Sequence, residues 1–416
     1  MKVCIRRGAR EIGGSCIEIE SQGKRIVLDI GQPLICPDLE SVALPEVSGF
    51  QNADDSLIGI LISHPHLDHY GLANRLRKDT LFFMGAAAQR ILRAASNFMP
   101  ASWNPPKTTT EIRDLKSFSL GPFQITPYLV DHSAYDAYAF LVEADEKRLF
   151  YTGDLRAHGR KPKLFERLVN HPPKDADVLL MEGTTVQREE TEHGFPSESE
   201  IENDMVRIFK STPGMPLVWC SGQNIDRIVT IFRAAMRSGR RLIIDMYTAH
   251  ILKATGNDRL PQAYWPQVRV FLPQFQKNRI KRRRQFALAQ EYRPYRIFGK
   301  DLAAVKSNSV MLFRDSMRTD VKEAQCLDGA RIVYSMWDGY LKEPKMTEFL
   351  EWTKQHELEL IKCHTSGHAS VLDLRRLRNA FASATAVPVH CAEPKQFAKT
   401  FDRVQVHPDN EWWEVK

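Results

Sequence analysis

The first part of the chain alternates short apolar runs with turns that contain glycine. The early turns contain Gly13, Gly14 and Gly23, and each separates two runs that are rich in Ile, Val and Leu. Short runs bounded by glycine are typical of β-strands. Strands are therefore predicted at residues 3–5, 16–20, 25–30 and 57–62.

The next part of the chain has apolar residues at the spacing of helices, and three apolar runs come after the second predicted helix. Residues 70–77 have the spacing of a helix, and a second helix of about ten residues is expected from Ala86 onward. Between these helices, residues 81–84 form an apolar run that predicts a strand. Further strands are predicted at residues 123–130, 138–142 and 148–152.

From about Asp177 onward, the pattern alternates regularly between strand and helix. Ser197 and Glu200 have the spacing of a capping box, which predicts a helix that continues to about Lys210. Such alternation predicts a parallel sheet flanked by helices. The strands predicted here comprise residues 178–181, 217–220, 242–245, 268–272, 310–313, 331–337, 358–363 and 387–389.

Length and composition indicate the number of domains and the cellular compartment. The chain has 416 residues, of which 43% are hydrophobic and 26% are charged, and this length predicts about two or three domains of an ordinary globular protein. No apolar run approaches the roughly 20 residues of a membrane span, and the N-terminus has a strand pattern. The seven cysteines form no CxxC pair, which indicates reduced packing residues. We therefore expect a cytoplasmic protein with no membrane partner.

Positive charge is concentrated in one segment. The formal net charge is +7, but residues 267–300 contain ten Lys or Arg and the single acid Glu291. Such a segment attracts polyanions because binding releases their counterions. Two other interpretations are a solvated basic helix without a ligand and a contact for a different acidic partner.

The densest group of candidate metal ligands follows the strand at residues 57–62. His64, His66, Asp68 and His69 lie within six positions, and such crowding gains little unless a cation binds the side chains. His64 and His66 can converge on one ion, while Asp68 and His69, on the turn that begins the next helix, can face another. The segment therefore predicts half of a two-metal site.

Other polar residues occupy strand ends throughout the chain. The carboxyl ends of strands can meet at one edge of a sheet, so these residues can converge although they are far apart in sequence. Together with Asp68 and His69 they provide enough donors for two ions. The set comprises Asp29, His64, His132, Asp154, Glu182, His368 and His390.

This series of motifs resembles the metallo-β-lactamase fold. His64-x-His66-x-Asp68-His69, then His132, then Asp154 in Thr152-Gly153-Asp154, match its successive motifs in order. Glu182, His368 and His390 resemble the three additional motifs of the β-CASP nucleases, and the opening Gly8 to Gly14 is most similar to ribonuclease J and its archaeal relatives.

The resemblance implies a fold and a domain plan. The expected class is α/β, a metallo-β-lactamase αββα sandwich with an inserted α/β β-CASP domain. Residues 1–185 would form the first part of the metallo-β-lactamase domain and residues 356–416 its return segment. Residues 186–355 would form the β-CASP domain.

The resemblance also implies roles for individual residues. Asp154 would bridge two zinc ions, with manganese as a possible replacement, and Asp29 would orient a ligand from outside the coordination sphere. Asp68, Asp154, His368 and Glu182 are the candidate catalytic residues. The implied ligands are His64, His66 and His132 for the first ion, and Asp68, His69 and His390 for the second.

The implied reaction is hydrolysis of RNA phosphodiester bonds. Two ions about 3.5 to 4 Å apart would activate a hydroxide and hold the attacking and leaving oxygens in line, which leaves 5′-phosphate and 3′-hydroxyl ends. His368 would protonate the leaving 3′-oxygen, and Glu182 would orient it. Ser366 and Gly367, expected at a helix start, would contact a substrate phosphate together with His368. The basic residues Arg282, Arg283 and Arg284 would lie along the path of single-stranded RNA.

Three alternatives remain open at this point. A DNA nuclease of the Artemis kind shares the fold, although such enzymes typically have valine where this chain has His390. A small-molecule metallo-hydrolase, such as a lactonase or thioesterase, would share the first-half motifs but lack the long basic insert. A catalytically silent RNA-binding subunit would have eroded ligand positions. Ribonuclease J carries a further C-terminal domain that this chain is not expected to have, so the sequence indicates no oligomeric state.

Overall fold

The computed structural model describes residues 1–34, 41–99, 103–187 and 193–416. The chain divides into two compact units, and the second interrupts the first in sequence. The first unit is Met1–Ser96, Ala101–Phe195 and Gly367–Lys416, and the second is Asn97–Pro100 and Pro196–Ser366. Compactness alone does not assign family domains, so the limits 1–185, 186–355 and 356–416 stay predictions.

The strands are short, as glycine-bounded apolar runs predict. They are β1 (Lys2–Arg7), β2 (Cys16–Ser21), β3 (Lys24–Leu28), β4 (Leu57–Leu61), β5 (Phe82–Gly85), β6 (Thr110–Ile112), β7 (Phe118–Leu120), β8 (Phe123–Val130), β9 (Ala137–Ala144), β10 (Lys147–Tyr151), β11 (Val178–Glu182), β12 (Pro216–Trp219), β13 (Arg241–Asp245), β14 (Val268–Phe271), β15 (Arg296–Ile297), β16 (Ser309–Leu312), β17 (Arg331–Tyr334), β18 (Glu359–Lys362), β19 (Thr385–Val389) and β20 (Trp412–Glu414).

The α-helices lie between these strands, and α4 begins at the expected cap. Ser197 caps the fourth helix as predicted, because its amide donates to Glu200 Oε2 at 2.7 Å and its hydroxyl accepts from the Glu200 amide at 3.2 Å. The helices are α1 (Leu67–Tyr70), α2 (Ala86–Ser96), α3 (Pro162–Asn170), α4 (Glu198–Ser211), α5 (Ile225–Arg237), α6 (Met246–Ala254), α7 (Gln274–Arg283), α8 (Phe286–Glu291), α9 (Gly299–Leu302), α10 (Arg318–Glu323), α11 (Thr347–Gln355), α12 (Val371–Ala380) and α13 (Pro394–Thr400).

The first unit contains two mixed sheets. One has the strand order β20-β1-β2-β3-β4-β5-β6, and the other has the order β19-β11-β10-β9-β8-β7. In the second of these sheets β11 runs parallel to β19, with Glu182 opposite Val389. This register places the carboxyl ends of two distant strands side by side, immediately before His390.

Apolar side chains fill both faces of each sheet in the first unit. Ile17, Leu28 and Phe140 are among the fully buried residues packed between the two sheets. On the outer faces, Leu92 of α2 packs in the core of one sheet and Leu377 of α12 packs in the core of the other. The layers are therefore helix, sheet, sheet and helix, which confirms the predicted αββα sandwich.

The second unit is built on one parallel sheet. Its strand order is β15-β14-β13-β16-β12-β17-β18, and each neighbouring pair is parallel. Helices connect successive strands, as the alternation of strand and helix predicted. A buried core that includes Met311, Ile332 and Phe349 lies against this sheet.

The predicted helix at residues 70–77 is wrong. Helix α1 ends at Tyr70, and only a 3₁₀ turn at Ala73–Arg75 follows it. The amide of Leu72 donates to Ile30 O at 3.1 Å, and that of Arg77 donates to Phe50 O at 3.1 Å. Tertiary hydrogen bonds to other segments thus replace the bonds that a continuous helix would make.

Two further observations concern the helices and the cysteines. Among the described residues, no helix combines the length and the apolar character that crossing a membrane requires. The described cysteines are free and buried, while Cys36 lies outside the described residues.

Candidate metal centre

Three histidines converge where β4 and β8 end. The backbone is anchored at this point because the amide of Ser63 donates to Asp29 Oδ1 at 2.7 Å. Nδ1 of His66 lies 3.1 Å from Nε2 of His132. One ligand atom from each of His64, His66 and His132 lies within 4.8 Å of the others. We call this group the histidine cluster.

A second group joins the start of α1 with the ends of β10 and β19. The amide of His69 donates to His66 O at 3.0 Å, which closes a tight turn at the beginning of α1. His69 Nε2 lies 3.1 Å from Asp154 Oδ2, and His390 Nε2 lies 3.6 Å from Asp68 Oδ2. Ligand atoms of all four residues lie within 4.8 Å of one another. We call Asp68, His69, Asp154 and His390 the mixed cluster.

Asp154 connects the two clusters. Its Oδ2 atom is 3.7 Å from Nε2 of His64 and 3.1 Å from Nε2 of His69. The carboxylate is buried and follows the end of β10, with Gly153 in the left-handed region at a φ of 52°. A single carboxylate is therefore within reach of both groups, as a bridging ligand requires.

Unpaired polar atoms test whether these residues fit metal ions. Nε2 of His64, Oδ1 of Asp154 and Nε2 of His390 are buried and have no hydrogen-bond partner among the described residues. Leaving such atoms unpaired costs free energy, so buried polar atoms normally have partners. Imidazole nitrogens and carboxylate oxygens are suitable ligands for Zn²⁺ and similar divalent cations. The residues present therefore fit divalent cations.

Protonation states in the histidine cluster favour metal binding. Burial and the neighbouring imidazoles hold the pKa of His64 and that of His132 well below the ordinary value. Burial also lowers the pKa of His66, to about 4. Neutral imidazoles keep the lone pair that a metal ligand needs.

In the mixed cluster, the charged forms of His69 and Asp154 are favoured, whereas burial lowers the pKa of His390. Burial opposes charge on His69, but Asp154 and Asp29 raise its pKa well above the ordinary value. Burial would raise the pKa of Asp154, but the imidazoles of His390 and His69 outweigh it, so this pKa lies well below the ordinary value. A carboxylate in this position attracts a proton to Nε2 of His69, and a divalent cation competes for the same lone pair.

Asp29 fixes the orientation of the His69 ring through its Nδ1 atom. Its Oδ2 accepts hydrogen bonds from Ser63 Oγ at 2.7 Å and Tyr151 Oη at 2.7 Å, and it lies 2.8 Å from His69 Nδ1. A histidine whose Nδ1 is fixed by a carboxylate presents Nε2 to a metal in one orientation. This is the geometry expected for the orienting role predicted for Asp29.

Two of the supporting residues were missed by the sequence reasoning. Tyr151 precedes Thr152-Gly153-Asp154, and the sequence pattern predicts only a strand there. Ser15 follows the opening glycine motif, and its Oγ lies 2.9 Å from Nδ1 of His390. The position of Ser15 directly after Gly13-Gly14 is the one feature of the sequence that points to it. Its partner is 375 positions away, and a local pattern cannot identify such a distant partner.

Replacing Asp29 with Ala is expected to weaken metal binding. Loss of a carboxylate that orients a ligand histidine typically lowers affinity by about 10- to 100-fold. Competition with a chelating dye during zinc titration would measure the change. Asp79→Ala is the matched control, because that side chain is 66% exposed and pairs with Arg77 at the surface. An unchanged zinc affinity in Asp29→Ala would contradict the orienting role.

His368 and Glu182 form a pair beside the mixed cluster. Nδ1 of His368 lies 3.0 Å from Glu182 Oε2 and 3.7 Å from Asp154 Oδ2. Glu182 is itself fixed, because its Oε1 accepts from the amide of Leu155 at 2.9 Å. Burial lowers the pKa of His368, but the charges of Glu182 and Asp154 outweigh it and raise the pKa to about 9. The His368 side chain is 22% exposed while the two carboxylates are buried, so this imidazole is the accessible member of the group.

Of the remaining predicted site residues, Gly367 lies beside the histidine cluster, because a Cβ added to it would lie 3.6 Å from Cε1 of His132. Ser366 ends the second unit, and Gly367 begins the last part of the first. The expectation that Ser366 and Gly367 lie at a helix start is wrong, because α12 begins at Val371 with Ser370 as its cap. Ser370 Oγ accepts from the Asp373 amide at 3.1 Å, which satisfies the helix terminus without Ser366.

The three predicted RNA-binding arginines lie at the end of α7 in the second unit. Arg282 and Arg283 are in its last turn, and Arg284 follows in the left-handed conformation with a φ of 55°. All three are exposed.

Comparisons with known proteins agree with the fold of the first unit. A family model described as a β-lactamase superfamily domain matches residues 36–218. A solved structure, described as a protein of unknown function from Enterococcus faecalis V583, has a TM-score of 0.76 at 19% identity and covers 99% of both chains. That likeness concerns the fold alone.

Two similar proteins are ribonucleases J. The Helicobacter pylori protein (strain ATCC 700392 / 26695) is 25% identical over 251 residues, which cover 59% of this chain and 36% of the relative. The Mycobacterium tuberculosis protein (strain CDC 1551 / Oshkosh) is 26% identical over 259 residues, which cover 58% and 44%. The chain thus matches less than half the length of each of these relatives. Together with the fold and the ligand geometry, these comparisons show a β-lactamase superfamily domain at residues 36–218 and a similarity of the chain to ribonuclease J.

Proposed function

We propose that this protein is a metal-dependent ribonuclease that hydrolyses phosphodiester bonds and leaves 5′-phosphate and 3′-hydroxyl ends. The observation that carries the proposal is the arrangement of Asp154, which reaches the histidine cluster and the mixed cluster and also lies beside His368. The similarity to ribonuclease J supports RNA as the substrate.

The two clusters would bind divalent cations, while a separate residue would transfer a proton. The histidine cluster would hold one divalent cation, zinc or manganese, and the mixed cluster a second, with Asp154 serving both. When bound, such cations lower the pKa of water and offset negative charge on a phosphate. The buried neutral imidazoles supply lone pairs, while Asp68 and Asp154 supply the negative charge that makes the site selective for cations over neutral molecules.

His368 supplies the proton in this proposal. Its charged form is favoured by Glu182 and Asp154, so the imidazolium can donate to the 3′-oxygen that leaves when the phosphorus–oxygen bond breaks. The hydrogen-bonding distance between Glu182 Oε2 and His368 Nδ1 leaves Nε2 of the ring as the donating atom. Glu182 would act by positioning His368.

End-labelled RNA tests the proposed function directly. Single-stranded RNA and single-stranded DNA of the same sequence are incubated with zinc- or manganese-loaded protein, and the products are separated on a sequencing gel. We expect RNA to be cut, with 5′-phosphate ends that RNA ligase can join. The fragment pattern distinguishes internal cleavage from removal of nucleotides at the 5′ end. Cleavage of DNA alone would favour the Artemis-like alternative, and cleavage of neither would overturn the proposal.

Replacing Arg282, Arg283 and Arg284 with Ala is expected to weaken RNA binding without removing metal. Each lost phosphate contact lowers the salt dependence of single-strand binding by about 0.7 in the log–log slope, so the triple variant should lose about 2. Fluorescence anisotropy with labelled RNA at several salt concentrations, in the presence of chelator to prevent cleavage, measures both quantities.

A matched variant separates position from total charge. Arg207, Lys210 and Lys354 are exposed cations of the same unit, on α4 and α11. Replacing these three with Ala removes the same charge and should leave affinity and slope close to those of the unaltered protein. Equal losses in both triple variants would mean that α7 has no special role.

A further inference from the structure

The turn between α7 and α8 exposes cations and an aromatic ring within five positions of the chain. Arg282 and Arg284 are exposed at the end of α7, and Phe286, the first residue of α8, is 59% exposed. Helix α8 buries none of its residues. The Phe286 ring is therefore mostly exposed to solvent, on a helix of which Leu288 and Ala289 are only partly buried.

Hydrogen bonds hold this turn in one conformation. The amide of Gln285 donates to Ile280 O at 3.0 Å, which closes the end of α7. The side chain of Gln285 donates to Asn97 Oδ1 at 2.8 Å, and Arg279 Nε donates to Asn97 O at 2.9 Å. The exposed cations and the ring thus project from an anchored turn of the second unit, not from a free loop.

Helix capping explains only part of this charge. Cations near a helix C-terminus are stabilised by the helix dipole, typically by about 0.3–1 kcal/mol each, which would account for Arg282 in the last turn. Arg284, however, has a φ of 55°, a conformation for which glycine is the favoured residue. The single acid of residues 267–300, Glu291, pairs with Lys253 at 2.7 Å, so it is not available to neutralise the arginines. Capping also gives no reason for an exposed phenylalanine.

We propose that the α7–α8 turn is a stacking site for single-stranded RNA, with Arg282 and Arg284 binding phosphates and Phe286 stacking on a base. Proteins that bind single strands without sequence preference combine a cationic surface with aromatic rings in this way. A base that is paired in a duplex has no free face for the ring, so the site selects unpaired RNA. The choice of RNA as ligand rests on the proposed function, while the stacking itself does not depend on catalysis.

An abasic ligand separates stacking from charge. The full chain, in chelator, is titrated with a labelled oligoadenylate decamer and with a decamer of the same ribose-phosphate backbone that lacks bases. We expect Phe286→Ala and Phe286→Leu to weaken oligoadenylate binding on the order of tenfold, with an unchanged salt slope, and to leave the abasic decamer unaffected. Phe286→Tyr should retain affinity, and Arg282→Ala with Arg284→Ala should weaken both ligands.

A second exposed ring provides the control. Phe298 is 47% exposed in the same unit, but the guanidinium of Arg296 lies over its ring at 4.7 Å, so one face is already occupied. Phe298→Ala should leave oligoadenylate affinity unchanged. The proposal is overturned if Phe286→Ala leaves oligoadenylate binding unchanged, weakens both decamers equally, or has no greater effect than Phe298→Ala.

Cleavage assays on the same variants distinguish failure of the stacking site from failure of the proposed ribonuclease activity. Phe298→Ala with metal should cut end-labelled RNA as the unaltered protein does, whereas Phe286→Ala should require a higher RNA concentration for the same rate. If no variant, nor the unaltered protein, cuts RNA but the oligoadenylate data follow the expected pattern, the stacking site stands and the ribonuclease proposal falls.

Discussion

Asp154→Ala is expected to abolish RNA cleavage and to reduce the bound metal. Oδ2 of Asp154 lies within 4 Å of His64, His69 and His368, so its loss removes negative charge from both clusters and from beside His368 at once. Cations that offset charge in a phosphoryl transition state contribute several kcal/mol, which corresponds to a rate loss of about a thousandfold or more. Cleavage of end-labelled RNA and metal content by atomic emission measure the two effects.

A surface carboxylate provides the matched control for Asp154. Glu166 is 45% exposed and pairs with Arg376 at 2.8 Å in the same unit. Glu166→Ala should keep normal activity and metal content, and thermal unfolding of both variants would show that the fold is retained. Full cleavage by a folded Asp154→Ala protein with normal metal content would remove the proposed mechanism.

His368→Ala is expected to slow cleavage while metal binding is retained. A positioned general acid typically contributes about 10²- to 10⁴-fold, and we expect a loss within that range. The paired carboxylate should matter less, so Glu182→Gln, which keeps a hydrogen-bonding partner for Nδ1, should show a smaller loss. Rates under single-turnover conditions measure the chemical step.

A modified substrate distinguishes an acid from a ligand. His368 can also group with His132 and Asp154 as a potential metal ligand, so loss of metal in His368→Ala would contradict the role of general acid. A substrate with sulfur in place of the leaving 3′-oxygen needs no proton, because a thiolate is a good leaving group. On this substrate His368→Ala should approach the rate of the unaltered protein, and an undiminished defect would exclude proton donation.

Local pattern predicted many elements of the first unit because its strands are punctuated by glycine. The strand at residues 123–130 was predicted with the bounds that the structure shows. The helix at residues 70–77 failed because the amides of Leu72 and Arg77 bond to segments far along the chain. The three-residue strands β6, β7 and β20 carry too few residues to display a period, so pattern could not identify them.

The amino-acid sequence by itself determined which side chains can bind metal and their order along the chain, because imidazole and carboxylate groups at strand ends have a recognisable chemistry and spacing. The tertiary structure alone decided how they meet: the pairing of β11 with β19 brings Glu182 near His390, and Ser15 reaches the His390 ring. Strand register and contacts between distant segments depend on how whole sheets pack, and no local pattern of apolar and polar positions contains that information.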